Sequence, residues 1–180
     1  DHPDLAGLIN NAAIQHELDL LDADSDRTNA LAHEEIAVNL AALVSLSIGL
    51  LPNLRAQPHS VIVNITSGLA FAPKEASPVY CATKAACHAF SQTLRYQCQR
   101  HAANVHVLEA IMPMVDTDMT AGRGRGKISP VQAADAVVAA IEADREEAWI
   151  GKAAALRVLR RIVPGIANRM LRGNGIEAAR

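Results

Sequence analysis

Ser60-Val61-Ile62-Val63-Asn64-Ile65-Thr66-Ser67-Gly68 is an apolar, largely β-branched run that stops at a glycine, and it reads as a buried strand. A long helical pattern opens shortly afterwards at Ser77-Pro78, a serine N-cap followed by proline at the first helical position. Tyr80 and Lys84 stand four residues apart on that helix and therefore share one face. A tyrosine hydroxyl is a poor acid or base at neutral pH, since its reference pKa is about 10. An ammonium group one turn away favours the phenolate and is expected to draw that value toward the working range. The Ser67 hydroxyl, at the end of the strand, can then hold the carbonyl or hydroxyl that exchanges its proton with Tyr80.

Outward from this stretch, the pattern alternates between strands and helices. Strands are expected at about Gly7–Asn10, Ser60–Thr66, Asn104–Ala110 and Ala148–Ile150. Helices are expected at about Ala30–Leu51, Pro78–His101, Pro130–Ala143 and Ala153–Leu171, the last interrupted near Pro164. Ser129-Pro130 repeats the Ser-Pro start signal of Ser77-Pro78. Such alternation marks an α/β fold with a parallel sheet covered on both faces. With no internal repeat and no linker, residues 1–180 are expected to be a single domain.

Half of the 180 residues are hydrophobic and only 3% are aromatic, so one core built from Ala, Leu, Val and Ile is expected. A net charge of −2 argues against general nucleic-acid affinity. The most apolar stretch, Ala37 to Leu51, contains Asn39, Ser45 and Ser47 and reads as a buried or interface helix, too short and polar to span a bilayer. Cys81, Cys87 and Cys98 lie on one helix, and the last two would stand about 16 Å apart along it. They read as small buried hydrophobes of a protein in a reducing cytoplasm. No cluster suggests a metal site.

Ser67, Tyr80 and Lys84 resemble the active site of the short-chain dehydrogenase/reductase family, in which a serine is followed after twelve residues by Tyr-x-x-x-Lys. Three further matches occur in the family's order. Asn10-Asn11-Ala12-Ala13 is similar to the strand-end Asn-Asn-Ala-Gly, with Ala13 in place of glycine. Asn39, in Ile36-Ala37-Val38-Asn39-Leu40, falls where the family places the asparagine of its catalytic tetrad. Met112-Pro113-Met114-Val115-Asp116-Thr117 resembles Pro-Gly-x-Val-x-Thr, with Met112 and Pro113 replacing proline and glycine.

The resemblance implies a doubly wound, Rossmann-like sheet and hydride transfer between a nicotinamide cofactor and a small carbonyl or alcohol substrate. It implies Tyr80 as general acid/base, Ser67 orienting the substrate, Lys84 lowering the Tyr80 pKa and binding ribose, and Asn39 holding a proton-relaying water. Asn11, Ala12, Tyr80, Lys84, Val115 and Thr117 would contact the cofactor. The family's homodimers and homotetramers make a homo-oligomer the expected assembly.

The family's glycine-rich phosphate turn has no counterpart here. Gly173-Asn174-Gly175-Ile176-Glu177-Ala178 fits its letters, but no strand precedes it. The chain is thus expected to be the C-terminal part of such a domain, without its first three strands, roughly 70 residues in all. The Gly7–Asn10 strand would then be a bare edge. NAD and NADP are not distinguishable, because the discriminating side chains follow the first strands.

Arg123, Arg125 and Lys127 fall where the family places its substrate lid, and they read as a solvated loop or a preference for anionic substrates. The last helix sets Leu156, Leu159, Ile162, Val163, Ile166 and Met170 against Arg157, Arg160, Arg161, Arg169 and Arg172. It reads as a cover over the substrate pocket or, alternatively, as a membrane-surface contact. This tail and the 113–117 loop resemble the DltE-like oxidoreductase branch. Two other function classes stand beside the oxidoreductase: a non-catalytic member serving dimerisation, and a serine hydrolase built on Ser67. The latter lacks its elbow, because Ile65 and Leu69 occupy the two glycine positions of Gly-x-Ser-x-Gly.

Overall fold

The computed structural model describes residues 2–21 and 24–162. The expectations for Val163 onward, including the break near Pro164 and the basic residues Arg169 and Arg172, lie outside these residues. Four parallel strands, β1 (Gly7–Asn10), β2 (Ser60–Ser67), β3 (Val105–Met112) and β4 (Glu147–Trp149), form one sheet in the order β1-β2-β3-β4. Successive residues of β2 serve opposite faces, as the two-residue period of a strand requires. Ile62 packs with Val105 and Val107 of β3 beneath Leu54, Leu94 and Cys98, whereas Val63 packs with Leu108, Ala110 and Ala148 against Val137 and Ala140. The first set of helical residues comes from α2 (Ala42–Arg55) and α3 (Pro78–His101), and the second from α4 (Pro130–Glu142). Helices thus cover both faces, and the Rossmann-like α/β architecture is as expected. β1 pairs only with β2 among the described residues, and its Ile9 is 57% exposed.

The first long helix differs from expectation. It starts at Ser25, where the Asp24 side chain accepts from Arg27 N at 2.9 Å, and runs as α1 (Ser25–Ile36), a π turn at Ala37–Ala41, and α2 to Arg55. At 31 residues it is long and apolar enough to cross a membrane, by length and composition alone, which corrects the expectation of a span too short to do so. Only 22% of its most apolar window is buried, and Ile36, Leu46 and Ile48 are exposed. Along the same helix, however, Glu35, Asn39 and Ser47 are buried and hydrogen-bonded into the α/β body.

The two Ser-Pro starts behave differently. Ser129 makes a complete capping box with Gln132: its Oγ accepts from Gln132 N at 3.1 Å, and Gln132 Oε1 accepts from Ser129 N at 2.9 Å. The Ser77 hydroxyl instead accepts from the Gln15 amide at 3.0 Å, so it fastens the loop after β1 to the start of α3 rather than capping the helix. The three cysteines are free and buried.

Candidate active site

β2 delivers Ser67 to the carboxyl end of the sheet, and α3 descends from there, presenting Tyr80 first and Lys84 one turn lower. The structure brings the three side chains together. Ser67 stands beside the Tyr80 hydroxyl, where its hydrogen-bonding capacity favours the phenolate, and its Oγ accepts from Leu69 N at 3.2 Å. The Lys84 ammonium stands 5.7 Å from the centre of the Tyr80 ring and donates to Ile65 O at 2.9 Å. Lys84 is 3% exposed.

The electrostatics correct one expectation. The Tyr80 phenol is pushed up to about 12: its burial outweighs the Ser67 hydrogen bond, and the nearby Cys81, Glu35 and Cys87 add to the rise. Lys84 does not bring it down, because its short hydrogen bond goes to a backbone carbonyl and burial pushes the ammonium below its own ordinary range. At neutral pH Tyr80 is therefore a protonated phenol.

Asn39 sits in the π turn and holds the loop after β1. Its Oδ1 accepts from Ile14 N at 2.8 Å, and its Nδ2 donates to Ile14 O at 2.9 Å and to Thr83 Oγ1 at 3.3 Å. The Asn39 carbonyl accepts from Cys87 Sγ at 3.2 Å, and π turns recur at functional sites. Glu35, one turn earlier, accepts from His16 N, and burial holds its carboxyl above the ordinary range. Among the described residues its second oxygen has no hydrogen-bond partner.

Asn11 and Ala12 are exposed where the chain leaves β1, and Val115 and Thr117 stand half-buried and exposed in the loop after β3. All four lie beyond the carboxyl ends of the strands, where open α/β sheets take their ligands. Leu156 of α5 (Lys152–Ile162) reaches Gly68 so closely that a Cβ there would stand 3.0 Å from its Cδ2, which puts this helix over the Ser67 corner. The basic loop is charge-compensated in part: Arg123 reaches Glu17 at 3.4 Å and Lys127 reaches Asp116 at 3.1 Å. Among the described residues no hydrogen bond joins Ser67 to a histidine, and no cluster suited to a metal occurs.

Sequence reasoning missed a buried polar group behind the site. Glu109 of β3 is wholly buried, accepting from Thr66 Oγ1 at 2.6 Å and pairing with His88 Nδ1 at 2.7 Å. The available signal was a glutamate at an inward position of the apolar run Val105-His106-Val107-Leu108-Glu109. Glu109 raises His88 from its ordinary 6.5, against the opposing effect of burial. A raised native pKa stabilises the fold fully below about 6.5 and loses that stabilisation as pH rises through the native value. Urea midpoints of wild type and His88→Gln, measured from pH 5.5 upward, are therefore expected to converge as the pH rises, by the linkage relation.

Comparisons with known proteins bear on the family and the fold. The family model described as short chain dehydrogenase matches residues 1–127. The oxidoreductase DltE of Bacillus subtilis is 45% identical over 66% of this chain, and the chain spans 46% of that protein's length. A short chain dehydrogenase from Burkholderia cenocepacia, solved with NADP, superposes with a TM-score of 0.83 at 25% identity, covering 94% of this chain and 69% of that one. A Sphingobium yanoikuyae short-chain dehydrogenase solved with NADPH shares the fold, with a TM-score of 0.71 at 21% identity over 96% of this chain and 68% of its own.

Proposed function

Because the chain belongs to the short-chain dehydrogenase family, we propose that the protein of which these residues form a part reduces a small carbonyl compound with a nicotinamide cofactor, and that Tyr80 donates the proton. The observation that carries this reading is the convergence of the protonated Tyr80 phenol with Ser67, which lowers the phenol's pKa against burial, and with the Lys84 ammonium 5.7 Å from the ring centre.

The residues present fit the nicotinamide-riboside half of such a cofactor. Lys84 has three N–H donors and spends one on Ile65 O, which leaves donors for ribose hydroxyls. Val115 and Thr117 from one side, with Asn11 and Ala12 from the other, would flank the ring and sugar at the carboxyl end of the sheet. Among the described residues no glycine-rich turn offers a phosphate cradle. When bound, the cofactor supplies hydride to the carbonyl carbon.

The protein's own part is then proton transfer and positioning. Ser67 Oγ–H donates to the carbonyl oxygen and sets it beside the Tyr80 hydroxyl, so negative charge developing on that oxygen meets a donor and an acid. The Tyr80 Oη–H bond breaks as a new O–H bond forms on the substrate, leaving a phenolate facing Lys84. Asn39 acts as a positioning residue through its grip on Ile14. The 2′-side chemistry that separates NAD from NADP is not among these residues, and the cofactor is either of the two. Residues 1–180 act within one domain, and the exposed Ile36, Leu46 and Ile48 support a second copy packing along the α1–α2 helix.

The test is absorbance at 340 nm during incubation of the complete protein with NADPH or NADH and a panel of aldehydes and ketones. Ser67→Ala is expected to lower kcat about a hundredfold, the usual cost of removing one donor to a developing oxyanion. Equal rates for wild type and Ser67→Ala would contradict the assignment.

A further inference from the structure

We propose that Glu109 is a positioning residue for the Ser67–Tyr80–Lys84 site, tying the strand end that carries Ser67 to the helix that carries Tyr80 and Lys84. The inference rests on the oxidoreductase reading above and assigns a role to a group that touches no reacting atom.

Thr66, which donates to Glu109 at 2.6 Å, immediately precedes Ser67. His88, paired with Glu109 at 2.7 Å, stands one turn beyond Lys84, which itself stands one turn beyond Tyr80. These three residues form a single ridge of α3. The ridge meets the end of β2 at three levels: Tyr80 on Ser67, Lys84 on Ile65 O, and His88 on Thr66 through Glu109. The upper two contacts use groups that must release a proton or hold a cofactor. The third uses none of them, so it can keep strand and helix in register while the others change partners.

A wholly buried carboxylate is a costly way to fill space. Well-packed apolar residues commonly match or exceed a buried ion pair in stability, whereas removing one partner of such a pair is strongly destabilising. Its worth here is directional: two hydrogen bonds fix Thr66 and His88 at set distances, which an apolar side chain would not do. The imidazole is held from outside as well. The Phe71 ring meets it edge-on at 4.6 Å, and Trp149 packs on Phe71 at 4.6 Å. Glu147 at β4 and Arg95 lower on α3 are the other charged groups that act on His88.

The test uses the complete protein and two readouts. Leu69 N–H donates to Ser67 Oγ, so its hydrogen-exchange rate reports how firmly that corner is held. Turnover with NADPH reports the site itself. Glu109→Leu is expected to speed Leu69 exchange and to lower kcat, each about tenfold or more, with KM little changed, because small misplacements at a reacting centre are costly. Glu109→Gln keeps an acceptor for Thr66 and a donor for neutral His88, and is expected to recover both readouts to within about threefold of wild type. Should Glu109→Leu fail to fold, Thr66→Val removes only the hydroxyl donor and carries the same expectation. Ser91→Ala is the control: it breaks a buried Asn64–Ser91 bond on the same helix and should move neither readout. If Glu109→Leu or Thr66→Val behaves like Ser91→Ala, Glu109 serves the core alone and the proposal falls. If wild type consumes no nicotinamide cofactor with any substrate, the oxidoreductase reading fails while Leu69 exchange still decides this one.

Discussion

Tyr80→Phe is expected to leave nicotinamide cofactor affinity within about twofold of wild type while lowering kcat by about a thousandfold or more. General acid catalysis by a positioned side chain contributes about 10²–10⁴ in rate, and phenylalanine removes the acid while keeping the ring. The ring is what packs at the start of α3 beside Lys84, and it is retained. The lost group is the one bonded to Ser67. Fluorescence titration with NADPH and steady-state turnover of the complete protein separate the two effects, since a loss confined to kcat marks an interaction made in the transition state. A variant that turns over like wild type would show that some other group supplies the proton.

Ile62→Ala is expected to destabilise the fold by about 3 kcal/mol, within the usual range for a fully buried aliphatic side chain truncated to alanine. Ile62 is 0% exposed and packs among Leu54 of α2, Leu94 and Cys98 of α3 and Val105 and Val107 of β3. The cavity would open between the strand that carries Ser67 and the helix that carries Tyr80, where helices on one side and strands on the other leave little room to collapse. The urea midpoint should fall with an unchanged slope, the mark of a change in stability rather than in the denatured state. A shift below about 1 kcal/mol would mean that the two layers repack freely.

Much of the fold was legible because it rests on local signals. The β-branched run ending at Gly68 marked β2, and Ser129-Pro130 marked the start of α4 together with its cap. The Ser67, Tyr80 and Lys84 cluster was legible for the same reason, since strand end and helix start lie close in sequence. Features that depend on distant partners were not. Ser77 looked like a cap, but Gln15, 62 residues away, takes its hydroxyl. The π turn at Asn39 has no local signature in the sequence, and the bonds of Asn39 to Ile14 and Thr83 reach across 25 and 44 residues. The Asp24 cap was overlooked, which moved the expected start of the first helix five residues too late.

The Tyr80 pKa shows where sequence spacing runs out. Four residues between Tyr and Lys place the two on one face, as observed, but the balance between desolvation and attraction depends on burial and on where the ammonium spends its bonds. The Glu109–Thr66–His88 group depends in turn on strand pairing, helix packing and register all at once, with 43 residues between Thr66 and Glu109.

The most direct measurement is the ultraviolet titration of the Tyr80 phenolate, taken as the difference between the complete protein and its Tyr80→Phe variant in the absence of cofactor. The midpoint is expected near about 12, raised by burial, and higher still in Ser67→Ala because Ser67 is the group that opposes that rise. A midpoint at or below the ordinary 10.0, unmoved by Ser67→Ala, would contradict that expectation.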